Sequence, residues 1–194
     1  LHTHSISSGH GSEDTITDMI RCASESGLSL FGISDHGPAT SSSAKPSYFQ
    51  SLKLADRDRF GIRVLYGAEL NIINTAGDVD LDDEILSALD YAIISIHPPI
   101  FKPYHDKDLS SAYIRAMDHP KVRFLGHIDD ARFPVDFEYL LEIAKEKHVY
   151  PEINNGSLMP DAYRINGQEN CHRILSICKK LDLPVLLSSD SHGK

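Results

Sequence analysis

The sequence predicts an α/β fold: a parallel (β/α) barrel with seven strand positions along 194 residues. Two observations carry this. Helix-like and strand-like segments alternate with short connections, and the strands read as short apolar runs. Parallel strands under crossover helices have that signature, because both faces of such a sheet are buried. A third observation places the chemistry: histidines and carboxylates recur where the strands end. An incomplete barrel and a doubly wound open sheet are the structural alternatives. Nothing resembles a Gly-x-Gly-x-x-Gly loop, which argues against a dinucleotide-binding sheet.

The first strand lies at or just before Leu1 and closes on His2-Thr3-His4. Residues 15–26 form a helix capped by Thr15 or Asp14, with Ile16, Met19, Ile20 and Ala23 on its apolar face and Gly27 as its stop. Leu28 to Ser34 is the second strand, closed by Asp35-His36-Gly37-Pro38. A Ser/Ala/Lys loop at 40–46 precedes a helix at 47–58, and Ile62 to Glu69 is the third strand. Asn74 to Asp80 is a turn or hairpin tip. Tyr91 to Ile96 is a strand ending at His97-Pro98-Pro99, then come a helix at 108–118 and a strand at 122–127. Phe137 to Lys147 is an amphipathic helix, Val149 to Asn154 a strand, 167–181 a helix, and Pro184 to Ser189 the last strand. No repeat or linker divides the chain, so 1–194 reads as one domain, with an N-terminus that looks trimmed.

Composition narrows the function. Hydrophobic residues make up 41 % of the chain and charged ones 24 %, as in ordinary globular proteins. No apolar run approaches the ~20 residues that span a bilayer, and no signal peptide is visible. The formal charge of −9, with no basic stripe to offset it, disfavours nucleic acid as the main partner. Cys22, Cys171 and Cys178 form no Cys-x-x-Cys pair and fit packed thiols in a reducing, cytoplasmic setting. Oligomeric state has no signature in the sequence.

His2 and His4 alternate with Thr3, so on a strand end both imidazoles point to one side. His36 ends the second strand, Glu69 the third, His97 the fourth, His127 the fifth, Asn154 and Asn155 the sixth, and Asp190 and His192 the last. In a parallel barrel those ends share one face, where active sites are built. Each residue alone has a plainer role, as a loop histidine or a helix-capping acid. Together they are metal-type residues converging on one face, as zinc or a similar divalent ion requires. His119, His148 and His172 fall elsewhere and read as structural, while His105 follows the fourth strand.

In this order the residues resemble the PHP (polymerase and histidinol phosphatase) superfamily. The resemblance rests on His2-Thr3-His4-Ser5, His10, Ser34-Asp35-His36-Gly37, Gly67-Ala68-Glu69, His97, Gly126-His127 and Ser189-Asp190-Ser191-His192. Asp35-His36-Gly37-Pro38, Gly67-Ala68-Glu69-Leu70-Asn71-Ile72, His97-Pro98-Pro99-Ile100-Phe101 and Glu152-Ile153-Asn154-Asn155 look most like the YcdX-type phosphatases. The family carries an Asp just before the Leu1 equivalent and continues beyond the Lys194 equivalent, so the resemblance implies a chain trimmed at both ends.

The resemblance implies a distorted seven-stranded (β/α)7 TIM-like barrel with three divalent ions at the C-terminal strand ends. His2, His4, Glu69 and Asp190 would hold one ion. Glu69 would bridge to a second held with His97 and His127, and His10, His36 and His192 would hold a third. Mostly imidazole ligands with two carboxylates suit zinc, with manganese or iron as alternatives. The implied reaction is hydrolysis of a small phosphate monoester by a hydroxide bridging two ions, with Glu69 and Asp190 organising the centre. Arg164 is the candidate phosphate clamp, its guanidinium matching two phosphate oxygens, with a surface arginine as the plainer reading; Arg132 is second choice. Asp35, beside His36, is a candidate for a supporting contact. The rival readings are a histidinol-phosphate phosphatase, a PHP exonuclease or non-catalytic module, and an amidohydrolase. The last leaves His10 and Glu69 without a role.

Overall fold

The computed structural model describes residues 1–101 and 107–194. Seven strands form one sheet: β1 (Leu30–Ile33), β2 (Asp58–Arg59), β3 (Ile62–Asn71), β4 (Tyr91–Ser95), β5 (Val122–Leu125), β6 (Tyr150–Asn154) and β7 (Leu186–Ser188). All but β2 run parallel in the order β1-β3-β4-β5-β6-β7. β3 is buried without a break from Tyr66 to Asn71, as expected for a strand covered on two faces.

Residues 2–4 touch both ends of that path. The N–H of His4 donates to the Ser191 carbonyl (2.8 Å) and that of Asp190 to the His2 carbonyl (3.1 Å), just beyond β7. On the other side, the Ser34 N–H donates to the Thr3 carbonyl (2.9 Å), just beyond β1. One short segment can meet the first and last strands of the path only if the sheet curls, so the parallel sheet forms a half-barrel. The strand expected at or just before Leu1 is represented by this stretch, whose parallel bridge joins Thr3 to Ser191.

The helices are α1 (Ile16–Glu25), α2 (Pro46–Ser51), α3 (Asp83–Leu86), α4 (Ser110–Ala116), α5 (Phe137–Glu146), α6 (Asn155–Leu158) and α7 (Gly167–Leu181). A capping box starts α1: the Thr15 side chain accepts from the Asp18 N–H, and the Asp18 carboxylate accepts from the Thr15 N–H. Asp136 caps α5 by accepting from the Tyr139 N–H (3.1 Å). The apolar faces of α5 (Leu140, Leu141, Ala144) and α7 (Ile174, Ile177) join Ile94, Leu125 and Ile153 of the strands in one core. Each large aliphatic side chain buried there contributes ~1.5–3 kcal/mol, which is what holds these helices to the sheet.

The helix expected over 47–58 stops early. α2 ends at Ser51, a 3-10 turn covers Leu52–Leu54, and Asp58–Arg59 pairs antiparallel with β3 through a hairpin at Phe60 and Gly61. The cause is Arg57, whose guanidinium donates to the carbonyls of Leu52, Lys53 and Ala55. These acceptors are satisfied from outside the helix, so nothing favours another turn. The hairpin at Asn74–Asp80 forms as expected, with the Ile73 N–H donating to the Asp78 carbonyl (2.9 Å). Among the described residues, no helix is long and apolar enough to cross a membrane. Cys22, Cys171 and Cys178 are free thiols, and burial pushes Cys171 up to about 12 and Cys178 up to about 11. Groups so reluctant to ionise are poor nucleophiles.

Candidate metal centre

β3 ends in the loop face of the sheet and delivers Glu69, fully buried, into a ring of imidazoles. Its Oε1 lies 2.9 Å from His127 Nε2 and 3.4 Å from His97 Nε2. Its Oε2 lies 2.7 Å from His36 Nδ1, 3.4 Å from His2 Nε2 and 3.5 Å from His4 Nε2. Asp190 closes the group, with Oδ1 3.4 Å from His2 Nε2 and 3.0 Å from His4 Nε2. His127 (φ 29°) and Asp190 (φ 54°) hold left-handed backbone conformations without being glycine. Such strain, of order 1–3 kcal/mol per residue, persists where surrounding structure enforces it, typically at functional sites.

The donor set fits divalent cations. Six buried side-chain atoms here have no hydrogen-bond partner: His2 Nε2, His4 Nε2, His36 Nδ1, Glu69 Oε2, Asp190 Oδ1 and His192 Nε2. Each orphaned polar atom costs ~1–3 kcal/mol, so six in one place need a common partner. Three sets of donor atoms lie within 4.8 Å of one another: His2, His4, Glu69 and Asp190; His36, Glu69 and His97; and His4, His36 and His192. Two ligands on a tetrahedral zinc ion, at Zn–N of ~2.0–2.1 Å, stand about 3.3–3.4 Å apart. The four contacts of His2 and His4 with Glu69 and Asp190 span 3.0 to 3.5 Å.

Charge agrees with this. Burial pushes His4 down to about 3 and also lowers His97, which leaves both imidazoles neutral and able to donate a lone pair at pH 7. Burial alone would raise Glu69, but His2, His97 and His36 and a hydrogen bond from His127 hold it well below the usual carboxylate range. His2 is the exception. Burial works to lower it, yet Glu152, Asp190 and Glu69 together raise it well above the ordinary value. A proton on His2 stands where a cation would balance those carboxylates.

A second layer turns the ring nitrogens. His2 Nδ1 donates to Glu152 Oε1 (2.5 Å). His4 Nδ1 donates to Ser8 Oγ (2.9 Å), which donates to Asp35 Oδ1 (2.8 Å). His97 Nδ1 donates to Asn71 Oδ1 (2.7 Å), while Asn71 Nδ2 donates to Asp80 Oδ2 (2.6 Å). His192 Nδ1 donates to the Asp190 carbonyl (3.0 Å). In all four rings Nδ1 is engaged by the protein and Nε2 is left facing the centre, the arrangement that fixes a ligand's tautomer. Asp35 thus has the supporting contact expected of it. Glu152 and Asn71 stand in the motifs that carry the resemblance but have no role assigned from sequence, and Ser8 and Asp80 are not singled out there. The one available signal was an acid inside the apolar strand around Glu152, two residues from Asn154 and hence on the same face.

The donor atoms that lie nearest one another cut across the expected ligand sets. Donor atoms of His4 lie within 4.8 Å of those of His36 and His192, and His10 packs beside the same two rings. His10 is exposed at the lip, its ring stacked 4.9 Å from that of His36 and tilted against that of His192 at 5.2 Å. The 3-10 turn at Ile6–Ser8 carries the chain outward before His10 is reached. His36 lies with Glu69 and His97, and His127 bonds directly to Glu69. His119 pairs with Asp83 (2.6 Å) and His172 with the Gln168 carbonyl (2.8 Å), away from the centre. His105 lies outside the described residues.

Arg164 is not a surface arginine. Its Nη2 donates to Asp190 Oδ2 (2.5 Å) and its Nη1 to Ser157 Oγ (3.2 Å), at the edge of a cavity of about 200 Å³ over the histidines. Arg132 lines the same cavity but is engaged by Asp130 and stacks 4.1 Å from the centroid of Tyr163. A larger cavity of about 460 Å³ adjoins it, bounded by His10, Thr40, Ser41, Pro98, Ile100 and Tyr163.

Comparison with known proteins agrees with this geometry. The model of the PHP domain family matches residues 1–156. A protein of Clostridium acetobutylicum named "Probable phosphatase" is 38% identical over 192 residues, covering 99% of this chain and 78% of its own. One of the same name from Thermoanaerobacter sp. (strain X514) is also 38% identical, covering 98% of this chain and 77% of its own. A solved structure from Listeria monocytogenes shares the fold with a TM-score of 0.68 at 18% identity, covering 99% of this chain and 94% of its own. The histidinol phosphate phosphatase of Lactococcus lactis, solved with zinc, L-histidinol and phosphate, has a TM-score of 0.65 at 21% identity, covering 99% of this chain and 85% of its own.

Proposed function

The chain belongs to the PHP domain family, and on that premise we propose that it is a metal-dependent phosphatase acting on small phosphate monoesters. The observation that carries the reading is Glu69, one buried carboxylate within 3.5 Å of five imidazoles. In this reading residues 2–4 take a strand position between β7 and β1, which completes a distorted (β/α)7 barrel. The nine residues His2, His4, His10, His36, Glu69, His97, His127, Asp190 and His192 hold three ions, with zinc as the best match to so many imidazoles.

Divalent ions held there would supply Lewis acidity, ionising a water near neutral pH and offsetting charge on the phosphoryl oxygens. The chain's own residues do the rest. Glu69, with two oxygens, serves two ligand sets at once and fixes their spacing. Asp190 offers Oδ1 to the His2–His4 set and keeps Oδ2 for Arg164. That tie aims the guanidinium at the smaller cavity, where its fork can bind two phosphate oxygens. The ester's alcohol then extends into the larger cavity, between the apolar surface of Pro98 and Ile100 and the hydroxyls of Thr40 and Ser41.

Turnover of an aryl phosphate after metal reconstitution tests the reading, with His127→Ala and Asp190→Ala as controls. Metal-dependent phosphate release that both variants abolish is expected; its absence from the reconstituted protein refutes the reading. Histidinol phosphate as a competing substrate separates the general from the dedicated phosphatase. Binding to single-stranded DNA at low salt would favour an exonuclease, which the net charge of −9 opposes. The central place of Glu69 also argues against an amidohydrolase site.

A further inference from the structure

Glu152 lies in β6, fully buried, and every acceptor position on its carboxylate is taken. Oε1 accepts from His2 Nδ1 (2.5 Å) and from the Ser188 hydroxyl. Oε2 accepts from the His127 backbone N–H (2.7 Å) and from Asn154 Nδ2 (3.2 Å). An ionised carboxylate offers about four lone-pair sites, so the group is saturated. Burying a charge is costly unless it is fully hydrogen-bonded, and the four donors meet that condition here.

The sources of the donors give the group its meaning. His2 comes from the N-terminal segment, His127 from the end of β5, Asn154 from the end of β6, and Ser188 from β7 two residues before Asp190. Three of those segments carry candidate ligands. The rings of His2 and His127 face each other, stacked at 6.0 Å. We propose that Glu152 is a positioning residue of the metal centre: it locks His2 with its proton on Nδ1 and its lone pair on Nε2, and ties that ring to the His127 backbone. This rests on the metal-binding reading above, not on the phosphatase activity.

The chemistry allows no close substitute. Glutamine has one acceptor oxygen and one NH2 group. Whichever way it turns, its NH2 faces either the Nδ1–H of His2 or the N–H of His127, donor against donor. Aspartate is one methylene shorter and cannot span both.

The test measures metal, not turnover. Zinc affinity and stoichiometry are read by competition with a chromophoric chelator for the wild-type chain and Glu152→Gln, with circular dichroism to confirm folding. The expected result is one ion bound about 10–100-fold more weakly, the range seen when such outer partners are lost, with the remaining ions held as before. A folded Glu152→Gln chain with wild-type affinity for every ion overturns the proposal, even if its melting temperature falls. Independently, nitrogen-15 NMR of the zinc-loaded wild-type chain should show His2 protonated on Nδ1. A His2 protonated on Nε2 overturns the proposal without any variant, and decides the matter if Glu152→Gln does not fold. A zinc-loaded chain that released no phosphate would refute the phosphatase reading and leave both readouts standing.

Discussion

Arg164 and Asp190 form an ion pair, Nη2 to Oδ2 at 2.5 Å, and the other oxygen of that same carboxylate lies 3.0 Å from His4 Nε2 and 3.4 Å from His2 Nε2. One acid therefore couples the candidate metal cluster to the candidate phosphate clamp. A metal at the cluster and a phosphate at the guanidinium would both be registered through Asp190.

Arg164→Met is accordingly expected to lower kcat by about 10²–10³-fold, the usual cost of removing one donor to developing charge. Metal content should stay at the wild-type level, because the ligand face of Asp190 is untouched. Steady-state kinetics with elemental analysis of the same sample check this. Unchanged kcat would remove Arg164 from the mechanism.

Ser8→Ala breaks the relay from His4 through Ser8 to Asp35. His4 Nδ1 and the His36 backbone N–H both lose their acceptor while buried, at a cost of ~1–3 kcal/mol each. Asp35 keeps the Ser5 N–H and hydroxyl and the Tyr48 hydroxyl, so the loop should stay in place. Denaturant titration of the metal-free chain reads the loss; a change within ±0.5 kcal/mol of wild type would mean the relay does not hold His4.

Leu140→Ala provides the contrast. Leu140 is fully buried on α5 within the apolar core, and its truncation should cost ~2–5 kcal/mol through the cavity it leaves. The folded fraction should still carry the full metal complement. Loss of metal in step with stability would mean the core and the centre are not separable.

The metal-free chain should weaken in acid. Burial depresses His4 to about 3 and lowers His97, whereas an unfolded histidine titrates near 6.5, so their contribution is complete above ~6.5 and declines as the pH falls. Burial would raise Glu152, but His2 beside it holds it down to about 2; its share is present above about 4.5 and is lost toward pH 2. His2 has the opposite sign. Its raised pKa adds stability below ~6.5 that is lost as the pH rises through its folded value, a partial offset. Melting temperatures of chelator-treated protein should fall steadily from pH 6.5 to 4; a flat or rising series contradicts the charge arrangement.

Much of this was legible in the sequence because strand and helix periodicity is local. α7 spans Gly167–Leu181, the bounds expected from the sequence, and His36, Glu69, His97 and Asp190 fall at or near the ends of strands. What was hidden depends on contacts between distant parts of the chain. Glu152 gains its role from His2, 150 residues away. The helix after Pro46 ends early because Arg57 folds back on its carbonyls, which apolar spacing cannot register. The turn at Ile6–Ser8 sets His10 at the lip while His4 lies buried inside, a difference that the spacing of the two histidines does not show.

The most direct test of the account is an anomalous-scattering map at the zinc edge, paired with elemental analysis of the same sample. The account predicts three ions per chain, one among His2, His4, Glu69 and Asp190, one shared by Glu69 and His97, and one beside His36 and His192. At most one ion per chain, or density away from Glu69, would contradict it.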